Sequence, residues 1–572
     1  MRPLALALAL IPGFASIADA ADLKETVNAS VRTIRALQNP DGTYGPADRQ
    51  PLATIRVVRA FTTSGEHYTA QDGPFVRSAV DAIVAALDGG DADDATRAEA
   101  LLALRAAAKG ARYDAAKEAL APAEGALDES GPLPWTRRHL AAGESFDDAG
   151  RWFPAVRDRL IAAQDEALRS LDAAGVPSAA ARLLALNELV AWEKANASGG
   201  DDAAAAADAE RRAAPETPEA RRARIALGLD YLAAQQRDGR FGFGGTADAG
   251  ITAIALSAVI RTCDDLGRER PEWVAEGLRY LASLQKDDGG IYDIGLKNYV
   301  TSVAVEALAV SGDPSFAPVI ARGTEFLTTT QLDEGEGYSS ELDPYYGGFG
   351  YGSSERPDLS NTQMALQALH EAGVPDDQAA YTKAVLFLQR CQNRKESGID
   401  TMTTWDDREV GPGDDGGAVY RPGDSKAGTD EREDGTLVGR SYGSMTYALL
   451  KSYLFVGLDP DDPRVAEAVD WITRNYRLDV NPGFRPDGRS EYQGLYYYYL
   501  TMARALEALG RDELSPADGG DAIDWRADLS RTLFELQADD GHWINGRAKR
   551  WMEGNPVLTT AYALLAFDAI RG

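Results

Sequence analysis

Two aspartates precede apolar segments at equivalent positions. Asp248 and Asp358 each lie four residues before a threonine, Thr252 or Thr362, at which such a segment begins. Glycoside hydrolysis requires a pair of carboxyl groups, one that protonates the leaving oxygen and one that acts as base or nucleophile. An aspartate before a helix can instead accept hydrogen bonds from the first-turn amides. We therefore predict Asp248 and Asp358 as candidate catalytic residues, with helix capping as the alternative.

A second group of residues suits ligand binding. Residues 496–499 are four consecutive tyrosines, so at least one ring must face the centre of any assembly that surrounds this helix. Aromatic faces accept a cation, an isoprenoid or a sugar ring alike. Tyrosines of the core with satisfied hydroxyl groups are the alternative. With polar residues at neighbouring helix starts, the predicted ligand-binding set is Asn361, Arg440, Ser441, Tyr442, Ser444, Tyr496 and Tyr498.

These residues belong to a repeated unit. One half is Gln-x3-Gly followed by an aromatic residue, at Gln38, Gln235, Gln285, Gln331 and Gln537. The other half is an apolar helix that begins near a threonine, at Thr54, Thr252, Thr301, Thr362 and Thr560, with Arg97, Met445 and Met502 at that place in weaker copies. A period of about 50 residues indicates stacked helical hairpins, because one hairpin cannot bury its apolar face alone.

The two helices of each hairpin differ in their distribution of apolar residues. Segment 463–477 has one apolar and one charged face, as in a helix exposed to solvent on one side, whereas segment 560–570 is apolar nearly all round. Six such outer–inner pairs follow one another, with outer helices near residues 219, 271, 314, 378, 463 and 523. The predicted fold is all-α, an α6/α6 toroid with a central cavity and all Gln-x3-Gly loops on one face.

The Gln-x3-Gly loops resemble the QW repeats of the squalene-hopene cyclase and protein prenyltransferase superfamily. The GGFGYG segment at residues 347–352 is similar to a loop of its prenyltransferase branch. The resemblance covers residues 219–572 well and 28–109 more loosely. It implies a terpenoid-cyclase-like toroid, but a fold does not fix a function.

Hopene-type cyclases of that superfamily carry Asp-x-Asp-Asp directly before the threonine of an inner helix. Here residues 91–94 read Asp-Ala-Asp-Asp, but Arg97 takes the threonine place, so the carboxylates fall two residues early. Two residues correspond to about 200° of helix, which would direct them away from the cavity. Asp93 is thus a third candidate catalytic residue, with capping of its helix as the alternative.

The resemblance also raises the question of a zinc site, because protein prenyltransferases bind zinc with Asp-x-Cys and a histidine. The chain has no Asp-x-Cys, and its four histidines, His67, His139, His370 and His542, fall outside the predicted inner-helix starts. An acidic loop at 403–435 offers oxygen ligands, but in no spacing typical of a calcium site. We predict no metal site and no cofactor.

The N-terminus resembles a secretory signal peptide, with an early arginine, a short apolar run and small residues that end at Ala20. We predict a signal peptide at 1–20, an N-terminal α-helical domain at 21–197, a low-complexity linker at 198–218 and the toroid at 219–572. No segment approaches the length of apolar residues that spans a bilayer. The protein is therefore expected to be periplasmic or secreted.

The formal net charge of −30 argues against nucleic acid and anionic membranes as partners, because their phosphates would be repelled. Solubility is the alternative explanation, and the oligomeric state stays open. The features together favour an exported toroid that binds an apolar, isoprenoid-like molecule or a glycan in its central cavity. Two enzymatic alternatives remain: a terpene cyclase or lyase with an aspartic acid, and a polysaccharide-active enzyme.

Overall fold

The computed structural model divides the chain into two compact units, one from Met1–Gly200 and one from most of residues 201–572. Each unit has its own hydrophobic core. The predicted signal peptide and nearly all of the predicted linker lie outside the described residues. The structure describes residues 26–27, 29–31, 33–46, 50–64, 68–87, 92–109, 111–123, 134–138, 153–169, 171–196, 217–243, 246–293, 295–352, 356–375, 378–399, 401–403, 408–516 and 521–571.

The first unit is helical in its described part. Its helices are α1 (Gln50–Thr63), α2 (Pro74–Leu87), α3 (Asp94–Ala107), α4 (Asp114–Leu120), α5 (Pro134–Arg137), α6 (Phe153–Leu168) and α7 (Val176–Asn196). Helix α1 packs against α2, α3 and α7. The rings of Phe61, Tyr68 and Phe75 meet edge to face, with centroids 5.6 to 6.3 Å apart. Burial of these apolar groups holds the helices of this unit together.

In the second unit, outer and inner helices alternate along the chain. The outer helices are α8 (Pro218–Gln235), α10 (Glu272–Ser283), α12 (Ala317–Thr329), α14 (Ala379–Cys391), α16 (Pro463–Arg474) and α18 (Trp525–Leu536). The inner helices are α9 (Ala249–Leu266), α11 (Lys297–Val310), α13 (Leu359–Glu371), α15 (Gly443–Phe455), α17 (Leu495–Leu509) and α19 (Pro556–Ile570). Each outer helix begins close to its predicted position.

The inner helices form a closed ring. Each one packs against the next, from α9 through α19, and α19 packs back against α9. Helix α19 is buried on all sides, whereas α16 buries only one face, as the apolar patterns of the two segments predict. The predicted all-α toroid of six helix pairs is confirmed.

The loop glutamines link neighbouring pairs. The Gln285 side-chain amide donates hydrogen bonds to the carbonyl oxygens of Gly289, at 2.9 Å, and of Val319 in the next outer helix, at 2.8 Å. The Gln537 amide makes the same pair of bonds, to Gly541 and to Arg224 in α8, both at 2.8 Å. The second of these bonds joins the last pair to the first, so the ring is closed by hydrogen bonds as well as by packing.

The glycine of each loop is required by a close approach to the next outer helix. Gly541 has a φ of +97°, and a Cβ atom there would lie 2.4 Å from the Leu227 carbonyl oxygen. Gly289 has a φ of +91°, and its Cβ would lie 2.6 Å from the Arg322 carbonyl oxygen. A side chain would therefore meet both backbone strain and a clash with a helix backbone.

The threonine at the start of an inner helix anchors the returning loop. The Thr560 hydroxyl accepts a hydrogen bond from the Trp543 amide at 3.0 Å. In α15 the equivalent bond, from the Ala418 amide at 3.0 Å, goes to Thr446. The prediction that Met445 takes this place is therefore wrong by one residue.

Two loops contain insertions that hide their repeat. The Gln331 amide bonds the carbonyl oxygen of Gly347 at 2.8 Å, so Gly347 and not Gly335 is the loop glycine. Gln392 pairs in the same way with Gly416 at 2.9 Å, although the Gln-x3-Gly pattern does not detect it. The insertions preserve the hydrogen bond from the loop glutamine to the loop glycine but lengthen the sequence between the two residues.

The region 393–440, predicted as a long loop, contains a small sheet. A separate hairpin earlier in the chain consists of β1 (Gly242–Phe243) and β2 (Thr246–Ala247). The sheet of region 393–440 has four strands, which are β3 (Met402–Thr403), β4 (Glu409–Gly411), β5 (Thr429–Glu431) and β6 (Leu437–Gly439). They pair in the order β3-β4-β6-β5. Only β4 and β6 run parallel. Strands of two or three residues are too short for a detectable alternation of apolar residues.

Candidate functional site

The lumen of the toroid is almost filled by side chains. A cavity of about 30 Å³ remains, lined by residues from all six inner helices. Sites for small organic molecules commonly measure about 300–1,000 Å³, whereas about 10–15 Å³ is enough for one water molecule. The cavity predicted to hold a ligand is present, but in this conformation it has room only for a few water molecules.

Polar atoms face this small cavity. The Ser257 hydroxyl and the Gln363 side-chain oxygen are buried there without a hydrogen-bond partner among the described residues. Buried polar atoms in a space of this size ordinarily bind water. These two atoms can each bind a water molecule in a cavity whose walls are otherwise mostly apolar.

An ion-pair network crosses the lumen towards the C-terminal ends of the inner helices. Each inner helix contributes one charged residue, in chain order Arg261, Glu306, Glu371, Lys451, Arg504 and Asp568. Arg261 lies 2.7 Å from Glu371 and 3.5 Å from Asp568. Arg504 lies 3.7 Å from both Glu306 and Glu371. Three positive and three negative side chains thus neutralise one another when Lys451 is protonated.

Lys451 is the most deeply placed cation of this network. Its ammonium group donates a hydrogen bond to the Gln367 side-chain oxygen at 2.8 Å. Burial, with a further contribution from the neighbouring Arg504, lowers the pKa of Lys451 to about 7, although Glu306 and Glu371 act in the opposite direction. The network therefore changes its charge near neutral pH.

Both carboxyl groups predicted as catalytic cap the N-terminal ends of inner helices. Asp248 accepts a hydrogen bond from the Ile251 amide, and Asp358 from the Asn361 amide, both at 2.8 Å. Burial raises the pKa of Asp248 and of Asp358, and Arg421 opposes this shift at Asp358. The capping alternative is observed at both positions.

Tyrosine hydroxyl groups close the lumen at this end. The Tyr497 hydroxyl lies 3.0 Å from both the Ser360 hydroxyl and the Gln363 side-chain nitrogen. Tyr299 and Tyr562 bring their hydroxyl oxygens within 3.4 Å of each other. Of the four consecutive tyrosines, Tyr497 is therefore the one that lines the lumen.

Asp93 caps a helix of the first unit. Its carboxylate accepts a hydrogen bond from the Thr96 amide at 2.7 Å, at the start of α3. The side chain is exposed, and hydrogen bonds from Thr96 lower the pKa of Asp93. An exposed carboxylate with a lowered pKa is ionised at neutral pH, so this geometry does not support a role as proton donor.

A larger hollow, formed by described residues of the second unit, is a cleft between its fifth and sixth helix pairs. It measures about 830 Å³, within the range of small-molecule sites. Its walls come from the loop before α17, the first turns of α17, the end of α18 and the loop that follows it. The lining residues are Leu478, Asp479, Tyr492, Leu495, Tyr496, Tyr499, Thr532, Glu535, Leu536, Ala538, His542, Ile544, Asn545, Gly546 and Arg547. We call this hollow the cleft.

The cleft combines apolar and charged surface. Leu536 is 42% exposed and Ile544 40% exposed, so both give apolar surface to the cleft. Tyr492 is half-buried, and the Arg547 guanidinium lies over its ring at 4.5 Å from the centroid. The exposed Glu535 adds a carboxylate to the same lining. Such a surface can bind a molecule that has both an apolar face and polar edges.

A buried carboxyl group lies behind the cleft. Glu553 accepts hydrogen bonds from the Tyr497 amide at 2.8 Å and from the Asn545 side-chain nitrogen at 2.6 Å. Asn545 also donates to the Tyr492 carbonyl oxygen at 2.7 Å. Burial raises the pKa of Glu553 to about 7, against the lowering effect of these bonds. Glu553 therefore holds the cleft wall and titrates near neutral pH.

One of the seven predicted ligand-binding residues, Tyr496, lines the cleft. The other six have structural contacts. Asn361 bonds the Asp358 carboxylate at 2.8 Å, Ser441 bonds Asp415 at 2.7 Å, and Tyr498 donates to the Arg477 carbonyl oxygen at 2.6 Å. Arg440 pairs with Asp430, Tyr442 packs on Phe484 and Ser444 bonds Asn481.

Sequence reasoning did not identify the ion-pair network or most of the cleft. A signal for the network was present, because each apolar inner helix carries at least one charged residue in its second half. The cleft had no such signal, since its lining comes from four separate segments.

Two further kinds of feature are absent from the described residues. They contain no cluster of three or more His, Cys, Asp or Glu side chains placed to hold a metal ion. They also contain no helix that is both long and apolar enough to cross a bilayer.

Comparison with known proteins finds no matching family model and no matching curated protein. Similar solved structures include a protein from Actinoplanes, with 16% identity, coverage of 62% of this chain and 100% of that one, and a TM-score of 0.35. The type II terpene cyclase MstE from Scytonema has 14% identity, coverage of 62% and 98%, and a TM-score of 0.36. The ent-copalyl diphosphate synthase from Streptomyces platensis has 14% identity, coverage of 86% and 99%, and a TM-score of 0.30. At these TM-scores the likeness carries no argument, and the toroid rests on the packing of the chain's own helices.

Proposed function

We propose that this chain is an exported glycan-binding protein that holds its ligand in the cleft between the fifth and sixth helix pairs. The observation that carries the proposal is the contrast between a cleft of about 830 Å³ and a lumen cavity of about 30 Å³. Export follows from the signal peptide predicted at residues 1–20. We also propose that the chain is related to the QW-repeat superfamily, on the basis of its Gln-x3-Gly loop sequences.

The lining favours a glycan over an isoprenoid. A sugar ring offers an apolar face to an aromatic side chain such as Tyr492 and hydroxyl groups to charged neighbours such as Glu535 and Arg547. An isoprenoid would cover those charged groups without giving them a hydrogen bond, and burial of an unpaired charge is costly. We therefore place the glycan first among the two ligand classes that the sequence leaves open.

The proposal is tested with a matched pair of tyrosine variants. Tyr492 lies in the cleft, whereas Tyr292 is a half-buried tyrosine of a Gln-x3-Gly loop outside the cleft, with Lys297 over its ring at 4.8 Å. Calorimetric titration with cello-, xylo- and galacturono-oligosaccharides should detect binding to the native protein. Tyr492→Ala should weaken it about ten-fold, or about 1.4 kcal/mol, and Tyr292→Ala should not.

Two results would count against this function. Equal weakening by both variants would remove the cleft from the argument. No binding of any oligosaccharide, together with a lipid that co-purifies with the exported protein in native mass spectrometry, would favour the isoprenoid ligand. Release of reducing sugar during the titration would make the protein a polysaccharide-active enzyme.

A second candidate, a terpene cyclase or lyase, is favoured by one observation. Asp358 is a buried carboxyl group at the start of α13, and burial raises its pKa, as a proton donor requires. It would require the lumen to open far beyond its present volume. Cyclic product from squalene that is lost in Asp358→Asn, but kept in Asp93→Asn, would support it.

A further inference from the structure

Arg547 is an exposed cation whose side chain has no ionic partner among the described residues. Its guanidinium lies over the Tyr492 ring, 4.5 Å from the centroid, and it lines the cleft. Other arginines nearby are occupied. Arg477 pairs with Asp479 at 2.5 Å, and Arg550 donates to the Gln493 side-chain oxygen at 2.8 Å.

Stacking on an aromatic ring prepares a guanidinium to bind a carboxylate. The ring restricts the plane of the group and leaves its N–H donors at the edge, where they can form two parallel hydrogen bonds to one carboxylate. Because the side chain of Arg547 is already held by Tyr492, less conformational entropy is lost when a ligand binds.

We propose that the cleft recognises an acidic sugar, a uronate residue, whose carboxylate pairs with Arg547 while its ring lies against the tyrosine-lined wall. The inference rests on the proposed glycan-binding function and narrows it to one class of glycan. It requires only binding, and no covalent step.

The remaining charges of the cleft allow this pairing. The Asp479 carboxylate is engaged by Arg477, through hydrogen bonds of 2.8 and 2.5 Å. The chain carries a net charge of −30, but charges farther away than about 8 Å are largely screened at physiological ionic strength. Glu535 is the one exposed acid of the lining without a partner among the described residues, so it should oppose a uronate.

The test compares trigalacturonate with cellotriose on the full chain, by calorimetric titration at fixed ionic strength. The native protein should bind trigalacturonate at least ten-fold more tightly. Arg547→Gln should bring the ratio of the two affinities to about one. Arg550→Gln is the matched control, because Arg550 is also stacked on an aromatic ring of the same loop but does not line the cleft. It should keep the native ratio.

Glu535→Gln gives an independent readout, because removal of the opposing carboxylate should strengthen trigalacturonate binding a few-fold. The melting temperature of each variant checks that the exposed substitutions leave the fold intact. A native ratio near one, or a ratio that survives Arg547→Gln, overturns the uronate inference while glycan binding stands. Failure of both trisaccharides to bind overturns the inference together with the proposed function.

Discussion

The lumen and the cleft are two hollows of one toroid, and they differ in how their polar groups are satisfied. In the lumen, Arg261 and Arg504 each have carboxylates within 4 Å, and little space remains. In the cleft, Arg547 and Glu535 have no ionic partner among the described residues, and the space would hold a small molecule. The centre of the ring thus serves cohesion, whereas the seam between two helix pairs is where we propose that a ligand binds.

The largest difference in stability is expected when one arginine of each hollow is replaced by methionine. Arg504→Met should lower the free energy of unfolding by about 3 kcal/mol, because it removes a buried cation and leaves the partly buried carboxylates of Glu306 and Glu371 less compensated. Arg547→Met should change it by less than about 0.5 kcal/mol, since the side chain is exposed. Urea unfolding measures both, and similar losses in the two variants would erase the distinction.

The two hollows should also respond to pH in opposite directions. The pKa of Glu553, behind the cleft, rises from its usual 4.5 to about 7, so the folded state binds the extra proton between these values. The free energy of unfolding should therefore fall as pH rises from about 4.5 to 7, by a few kcal/mol at most. Glu553→Gln should remove this slope.

In the lumen, the pKa of Lys451 falls from its usual 10.5 to about 7, so the unfolded state binds the extra proton between these values. The free energy of unfolding should therefore rise with pH from about 7 to 10.5. Lys451→Met should flatten this limb only. The stability curve of the native chain should therefore show a minimum near neutral pH, and each variant should lack one of its two limbs. A monotonic native curve would contradict at least one of the two assignments.

The smallest effect on ligand binding is expected from a lumen hydroxyl. Ser257→Ala should change the free energy of unfolding by less than about 1 kcal/mol and leave glycan affinity unchanged, because the Ser257 hydroxyl has no partner among the described residues. Thr560→Ala is the control, since it leaves the Trp543 amide without its acceptor and should cost about 1–3 kcal/mol. A large loss of ligand affinity in Ser257→Ala would return the binding site to the lumen.

Much of the fold was predictable because helix position is a local property. The one-sided pattern of α16 and the all-round apolar pattern of α19 define which helix lies outside. The Gln-x3-Gly and threonine signals fail where spacing changes, as at Gln392 and its distant partner Gly416. The prediction of a lumen-facing tyrosine was sound in principle but selected Tyr496 and Tyr498, since sequence alone does not give the rotation of a helix about its axis.

The sequence by itself determined the helix pairs, their order and the amides and hydroxyl groups that join them, because these depend on apolar period and on contacts that recur in each repeat. Only the tertiary structure decided that charged side chains from six helices meet in the lumen and that the usable space lies at a seam. The physical reason is that volume and charge compensation are set by segments far apart in the chain, whose approach no local pattern encodes.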